Sequence, residues 1–415
     1  MLAHKIRLDL SNKQTTYMKK ACGISRKAWN WGLAQWADQY KQGLKPSGMA
    51  LKKEFNTIKK TEFPYMYEVT KYAAQQPFIQ LQTAWNKYFN YLKSKKGPKV
   101  GRPKFKKKGK CFDSFYIGGD QIIIKNKTVK IPNLGYVKLT EEVRFQGKIL
   151  SATISRQADH WFISFVIEPL ISFIPCKNHT RIGIDVGSKA LATLSNGVQI
   201  AAPKPLRKSI RKLRRLSRQL SKKQHSRYKG DTTPKSKNYL KQQNKVARCH
   251  AKVSNIRKDT LHKLTTFLTD NFQYIAIEDL NIKGMMSNGK LARTIGDLGL
   301  YELKRQLLYK AKNKGNIVAI ANRWFPSSKT CSCCGNIKYE LTLKDRVYHC
   351  NACGLKIDRD LNASINLDKL NQIPQVLREF TTAEMAAMLA RNGLVSSIVE
   401  PVNKHQPNLI IDRVG

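Results

Sequence analysis

The chain has 415 residues, with 76 Lys and Arg against 28 Asp and Glu, a net charge of +48. A hydrophobic fraction of 41% with six Trp permits real cores, which excludes a disordered basic tail, and the length predicts two to four domains. No apolar run reaches the roughly 18 residues of a membrane span, the start has no signal-peptide apolar region, and so large a positive excess repels itself unless a polyanion neutralises it, so nucleic acid is the expected partner.

Residues 1–10 alternate apolar and polar and predict one strand. From about 13 to 93 the period turns helical, with Trp29, Trp31, Trp36, Tyr40, Trp85, Tyr88, Phe89 and Tyr91 expected mainly to fill a helical core. The stretch "KKGPKVGRPKFKKKGK", 95–110, holds nine Lys or Arg and no acid between Gly and Pro, and predicts a loop in contact with phosphates. Its candidate contacts are Lys95, Lys96, Lys99, Arg102, Lys104, Lys106, Lys107 and Lys108. Residues 112–168 break into short alternating runs between turn residues. With the first strand these predict a small barrel, of residues 1–10 and 111–178, into which the helices of 11–110 are inserted. A boundary is expected near Pro175–Thr180.

From 181 the pattern is an apolar strand, a second strand, an Asn-Gly hairpin turn and a third strand. A basic helix follows: Leu206–Lys229 carries eleven Lys or Arg and no acid, with Ile210, Leu213, Leu216 and Leu220 as a packing stripe. Arg207, Arg211, Arg214, Arg215 and Arg218 lie off that stripe and are candidate nucleic-acid contacts. A second helix covers roughly 238–270. "FQYIAIEDL" and "NIVAIANRW" are expected as buried strands on either side of a helix at 298–314, and "DRDLNASINLDKL" as a last helix. Stripped of insertions, this is the ribonuclease-H-like order, a mixed sheet with helices on its faces.

In such a sheet the first and fourth strands can be neighbours, and each carries an acid near its end: Asp185 in "IGIDVG" and Glu278 in "IAIEDL". A carboxylate in an apolar strand is costly unless a cation or hydrogen bonds meet it. A third acid at the start of the last helix, Asp358 or Asp360, would complete a pocket of hard oxygen donors suited to Mg²⁺ or Mn²⁺. One of the two aspartates caps the helix and the other binds metal, and spacing alone does not choose between them. Two such ions roughly 3.5–4 Å apart can cut a phosphodiester. Taken singly, Asp185 also suits a turn ahead of Gly187, and Glu278 an ion pair; it is the order of all three acids that favours metal ligation.

The nine cysteines are unevenly spread, five of them within 331–353. "CSCCG" and "CNACG" are two Cys-x-x-Cys-Gly knuckles fifteen residues apart, so Cys331, Cys334, Cys350 and Cys353 are the expected ligands of one structural Zn²⁺, with Cys333 spare and His349 a poorer substitute. Four thiolates leave no open position for catalysis, and a reducing cytoplasm suits this distribution better than a disulfide framework.

"GIDVGSKALATLSNG", "IAIEDLNIKGM", "WFPSSKTCSCCG" and "CGLKIDRDLNASINL" resemble the RuvC-type nuclease blocks of the TnpB family, encoded by insertion sequences and related to miniature type V CRISPR effectors. "GRPKFKKKGKCFDSF" and "EMAAMLARNGLVSSIVE" extend the resemblance over nearly the whole chain. It implies a multi-domain α+β protein. A β-barrel wedge domain carries an inserted helical recognition domain. A RuvC, RNase H-like domain spans 181–323 and 357–398, a zinc ribbon that binds target nucleic acid spans 324–356, and a tail spans 399–415. It further implies an RNA-guided DNA endonuclease, a monomer bound to a structured guide RNA, acting on double-stranded DNA in the bacterial or archaeal cytoplasm near the nucleoid. The family pattern puts the catalytic acids on Asp185, Glu278 and Asp360, with Asp358 beside them. All three are present, against a nuclease-dead guided repressor; an RNase H-fold transposase without a guide is the other alternative.

Overall fold

The computed structural model describes residues 1–95, 97–170, 180–187, 189–226, 228, 230–289, 291–342, 345–370 and 382–398. Lys96, most of the expected boundary near Pro175 and the 399–415 tail lie outside the described residues. The chain divides into two compact units, Met1–Ser172 and Phe173–Gly415.

In the first unit β1 (Leu2–Asp9) alternates as its sequence demands, with Ile6 and Leu8 inward. Ser11 then starts α1 (Asn12–Lys41) through a reciprocal capping box with Gln14. The helices α2 (Gly48–Glu62) and α3 (Lys71–Ser94) complete the insertion. Six strands follow: β2 (Ser114–Gly118), β3 (Ile123–Lys125), β4 (Thr128–Ile131), β5 (Gly135–Leu139), β6 (Gly147–Gln157) and β7 (His160–Pro169). They return to β1, which lies between β7 and β5 in the order β2-β6-β7-β1-β5-β4-β3. Among the described residues, the expected barrel is not closed by hydrogen bonds. The terminal strands β2 and β3, five and three residues long, pair there with β6 and β4 respectively. Sheet and helices share one apolar core, where Trp36 stacks on Trp85 and Trp85 on Phe89, while Tyr40 is left in solvent.

The second unit opens with β8 (Arg181–Asp185), β9 (Ala190–Leu194) and β10 (Val198–Ala201). The basic helix α4 (Pro205–Ser221) stops well short of Lys229, and buries Leu213 and Leu216 against α5 (Lys237–Asn271). Next come β11 (Tyr274–Glu278), the short α6 (Ile282–Ser287) and α7 (Ala292–Leu298), α8 (Leu300–Lys314) and β12 (Ile317–Ala321). The strands β13 (Val347–His349) and β14 (Lys356–Asp358) pair with each other, and β14 runs straight into α9 (Arg359–Asp368). After α10 (Thr382–Arg391), β15 (Ser396–Ile398) closes the edge beside β10, an element that the sequence pattern does not announce.

The main sheet has the order β12-β11-β8-β9-β10-β15, so the first and fourth strands of the unit are neighbours. They run parallel, with Ile277 opposite Ile184, and one step further brings Glu278 level with Asp185. β12 departs from the expected buried strand. It is the edge of the sheet, with Ile317 and Ile320 53% and 43% exposed, because among the described strands only β11 flanks it.

One glycine determines where α9 lies. A Cβ on Gly183 would stand 2.0 Å from Ser364 O and 2.4 Å from Asp368 N, so the helix backbone rests directly on β8. Ala363 and Ser364, small and buried, continue that close approach. Gly183→Ala is therefore expected to push α9 off the sheet and cost about 3 kcal/mol, at the upper end for an overpacked core, seen as a lower denaturant midpoint with unchanged slope. An unchanged midpoint would show that the helix has room to move.

Candidate active site and metal centres

The parallel pair β8–β11 delivers Asp185 and Glu278 to the same end of the sheet, and α9, seated on Gly183, delivers Asp360 from its first turn. The backbone engages one of the two aspartates. Asp358 is the cap of α9: its Oδ1 accepts from Asp360 N at 3.0 Å and Leu361 N at 3.1 Å. Asp360 has no such duty. It is 17% exposed and its carboxylate lies 3.6 Å from the Arg359 guanidinium.

The electrostatics are those of acids held together against their tendency to ionise. Desolvation pushes the Asp185 carboxyl well above the usual carboxylate range; Glu278 and Asp360 add to the rise, and Arg359 opposes it. Glu278 is likewise raised by desolvation, with Asp360 adding to it, while a hydrogen bond from the Ser327 hydroxyl to its Oε1 works the other way. Asp279, next in sequence, faces different partners: Lys304 at 2.6 Å and Arg323 at 2.9 Å. Hard oxygen donors that are costly to ionise alone fit divalent cations such as Mg²⁺ or Mn²⁺.

That electrostatic cost gives a signed prediction. The folded pKa of Asp185 lies above its ordinary 3.8, so the side chain favours the fold below that value and works against it as pH rises through the raised one. In chelator, Asp185→Asn is expected to melt at a higher temperature than the parent, with the gap widening as pH rises above 3.8 towards the raised value. Calorimetry across that range checks it, and a gap that is absent or reversed contradicts the crowding of the acids.

The four cysteines form a separate centre in the same unit. Among the described residues, their four ligand atoms form one group in which all lie within 4.8 Å of one another. Cys331 Sγ lies 3.6 Å from Cys353 Sγ, and Cys334 Sγ 3.6 Å from Cys350 Sγ. Tetrahedral Zn–S bonds of about 2.3 Å require sulfurs about 3.8 Å apart, so the quartet fits zinc. The two knuckles are built alike: Gly335 N donates to Cys331 O and Gly354 N to Cys350 O, each at 3.0 Å, with both glycines at positive φ. Burial alone would raise the Cys350 thiol, yet the N–H groups of Cys353 and Ala352 and the thiols of Cys334 and Cys331 outweigh it and hold its pKa at about 6. Cys333 and the His349 side chain are exposed and stand outside the quartet.

The basic candidates are mostly in solvent. Arg207, Arg211, Arg214, Arg215 and Arg218 are all exposed, and the last four, with Lys212, line one open recess on α4. Asp297, which sequence reasoning missed, accepts from Leu206 N and Arg207 N and so fixes the start of that helix. In the other unit Lys95, Lys99, Arg102, Lys104, Lys107 and Lys108 are exposed. Lys106 is half-buried, with its ammonium 3.8 Å from the Trp29 ring centre, and its backbone is clamped in both directions by the Asn30 amide. The basic loop is thus anchored to α1, and Lys106 is the anchor more than a free charge.

Comparison with known proteins places the chain. Residues 175–289 match the OrfB_IS605 family model, described as a probable transposase, and residues 301–367 match the Cas12f1-like TNB domain. Residues 1–45 match a model described as a helix-turn-helix domain, although here they form one strand and a single 30-residue helix. A Streptomyces pristinaespiralis protein named "Putative RNA-guided DNA endonuclease" is 33% identical over 373 residues, 88% of each chain. The TnpB-like protein L79 of Acanthamoeba polyphaga mimivirus is 33% identical over 131 residues, 30% of this chain and 25% of its own. The solved Cas12f1–sgRNA–target DNA complex shares the fold at TM-score 0.50 and 15% identity, covering 88% of this chain and 84% of that one. The class is that of OrfB_IS605 proteins with a Cas12f1-like TNB segment. Within it, this chain belongs to the TnpB family.

Proposed function

We propose that this protein is an RNA-guided DNA endonuclease of an insertion sequence, which binds a structured guide RNA, recognises a short motif beside its target and hydrolyses DNA phosphodiesters. The observation that carries this is the meeting of Asp185, Glu278 and Asp360 from two adjacent strands and a helix, in a chain whose relative over 88% of its length is named for that activity. Residues 181–323 and 357–398 act as a RuvC-type, RNase H-like nuclease, and 324–356 as a zinc ribbon on the target nucleic acid. Residues 1–10 and 111–178 act as the wedge, and 11–110 as the recognition segment. The protein works as a monomer with its RNA, in the cytoplasm near the nucleoid.

Asp185, Glu278 and Asp360 would hold the divalent cations, two Mg²⁺ or Mn²⁺. Bound there, such ions activate water and neutralise charge on the leaving oxygen. The chain's own groups prepare the place. Asp358 gives its oxygen to the helix backbone and stays out of the donor set, and Arg359 offsets part of the acids' repulsion. The Ser327 hydroxyl fixes one oxygen of Glu278. The exposed arginines of α4 and the exposed lysines Lys95, Lys99, Lys104, Lys107 and Lys108 grip phosphates without reading bases, as a guide–target heteroduplex requires.

Reconstitution tests this. Protein bound to its RNA, given Mg²⁺ and a plasmid bearing the matching target and adjacent motif, is expected to cut both strands there, and a changed guide should move the cut. Binding without cutting would favour a guided repressor, and cutting without RNA an unguided transposase.

A further inference from the structure

A buried polar network joins the cysteine centre to the acids. Ser327, 4% exposed, lies in the segment between β12 and Cys331, and its hydroxyl donates to Glu278 Oε1. That segment is held from α9 by two amides. Asn366 Nδ2 donates to Ser327 O at 2.8 Å and to Thr330 O at 2.6 Å. Asn362 Nδ2 donates to Thr330 O at 2.7 Å, and its Oδ1 accepts from Ser332 N at 2.9 Å. Thr330 and Ser332 flank Cys331, whose own N–H donates to Asn336 O. Asn362 and Asn366 are 0% and 4% exposed, and their four-residue spacing puts them on one face of the helix that also carries Asp360. Two amides buried on a helix are costly unless satisfied, and here they bond to the segment whose Ser327 reaches Glu278.

We infer that Ser327 is a positioning residue for Glu278, fixed by Asn362 and Asn366, and that the Cys331–Cys334 knuckle thereby sets how tightly the acids hold divalent cations. The inference rests on the three acids being cation ligands. One oxygen of Glu278 is occupied by the hydroxyl, which leaves the other to face the cation in a fixed orientation. When the knuckle is ordered, Thr330 and Ser332 are fixed on either side of Cys331, α9 locks them through its amides, and Ser327 cannot drift from Glu278. Without the hydroxyl, the Glu278 side chain regains its torsional freedom and must be ordered again by each binding event.

The test is Mn²⁺ binding to the full chain with its guide RNA, followed by electron paramagnetic resonance, beside cleavage rates across Mn²⁺ concentration. Ser327→Ala is expected to weaken Mn²⁺ binding about tenfold, the lower range for losing a partner of a metal ligand. It should raise the half-saturating Mn²⁺ concentration by a like factor and keep one zinc per chain and the parent's target binding; Ser327→Thr should recover most of the loss. Asn366→Ala should move Mn²⁺ affinity the same way, and the double variant no further than the larger single effect. If Asn366→Ala fails to fold, Ser327→Ala decides alone. Glu278→Gln separates the two levels. Should Glu278→Gln leave Mn²⁺ affinity intact, the acids are not the ligands. Should it weaken Mn²⁺ while Ser327→Ala stays within twofold of the parent, the positioning role is overturned.

Discussion

Asp185→Ala, Glu278→Ala and Asp360→Ala are each expected to bring guided DNA cleavage down by about a thousandfold or more, which is several kcal/mol of lost transition-state charge stabilisation. Binding of guide RNA and target should stay close to that of the parent, because the exposed basic residues proposed to grip phosphates are untouched. The acids act as one unit, so any pair of these changes should cost little more than one. Asp358→Asn is the informative control. Asn caps a helix as well as Asp does, so Asp360 N and Leu361 N keep their acceptor and cleavage should stay within a few-fold. Measured single-turnover rates with bound-fraction controls decide this. Asp358→Asn failing as badly as Asp360→Ala would mean that the roles of the two aspartates are misassigned.

Loss of a zinc ligand has the second large effect, on folding. Cys350→Ala is expected to take the zinc content from one per chain towards none, and to unfold the cysteine-bearing segment. Structural zinc contributes about 10–16 kcal/mol to comparable small modules, far more than the apolar cluster there can replace. That cluster is small: Cys331, Tyr348, Cys350, Ile357 and Leu361 are its buried members, and Leu361 belongs to α9. The damage should therefore spread to α9, and with it to Asp360. Cys333→Ala, by contrast, should keep the full zinc content, since its thiol is exposed and outside the quartet. Metal analysis with limited proteolysis of 324–370 reads both; full zinc content in Cys350→Ala would remove that cysteine from the ligand set.

Much of the candidate site was legible because its residues belong to types that are rare in this chain. An acid at the end of an apolar strand, and two Cys-x-x-Cys-Gly turns, stand out in a chain rich in lysine and arginine. The neighbouring of Asp185 and Glu278 followed from element order, and the structure has it, with β8 beside β11. What stayed hidden depends on pairings between distant segments. Whether Asp358 or Asp360 faces the site turns on which carboxylate the backbone N–H groups of α9 engage, and spacing does not encode that. The apolar run of β12 looks buried until its place at the edge of the sheet is known. Asn362 and Asn366 read as ordinary polar helix positions, although their four-residue spacing on a packing face was a signal that could have been followed. Gly183 looked like part of an apolar strand, and only the contact with Ser364 explains why no side chain is tolerated there.

The proposed activity requires Asp185, Glu278 and Asp360 to grip divalent cations together. Anomalous diffraction from crystals of the protein–RNA complex soaked in Mn²⁺ looks at that grip directly. Manganese peaks are expected among these three carboxylates, with Asp358 still on the backbone of α9, and they should vanish in Asp185→Ala. Manganese bound elsewhere, with the three acids left to lysine, arginine or solvent, would contradict the account.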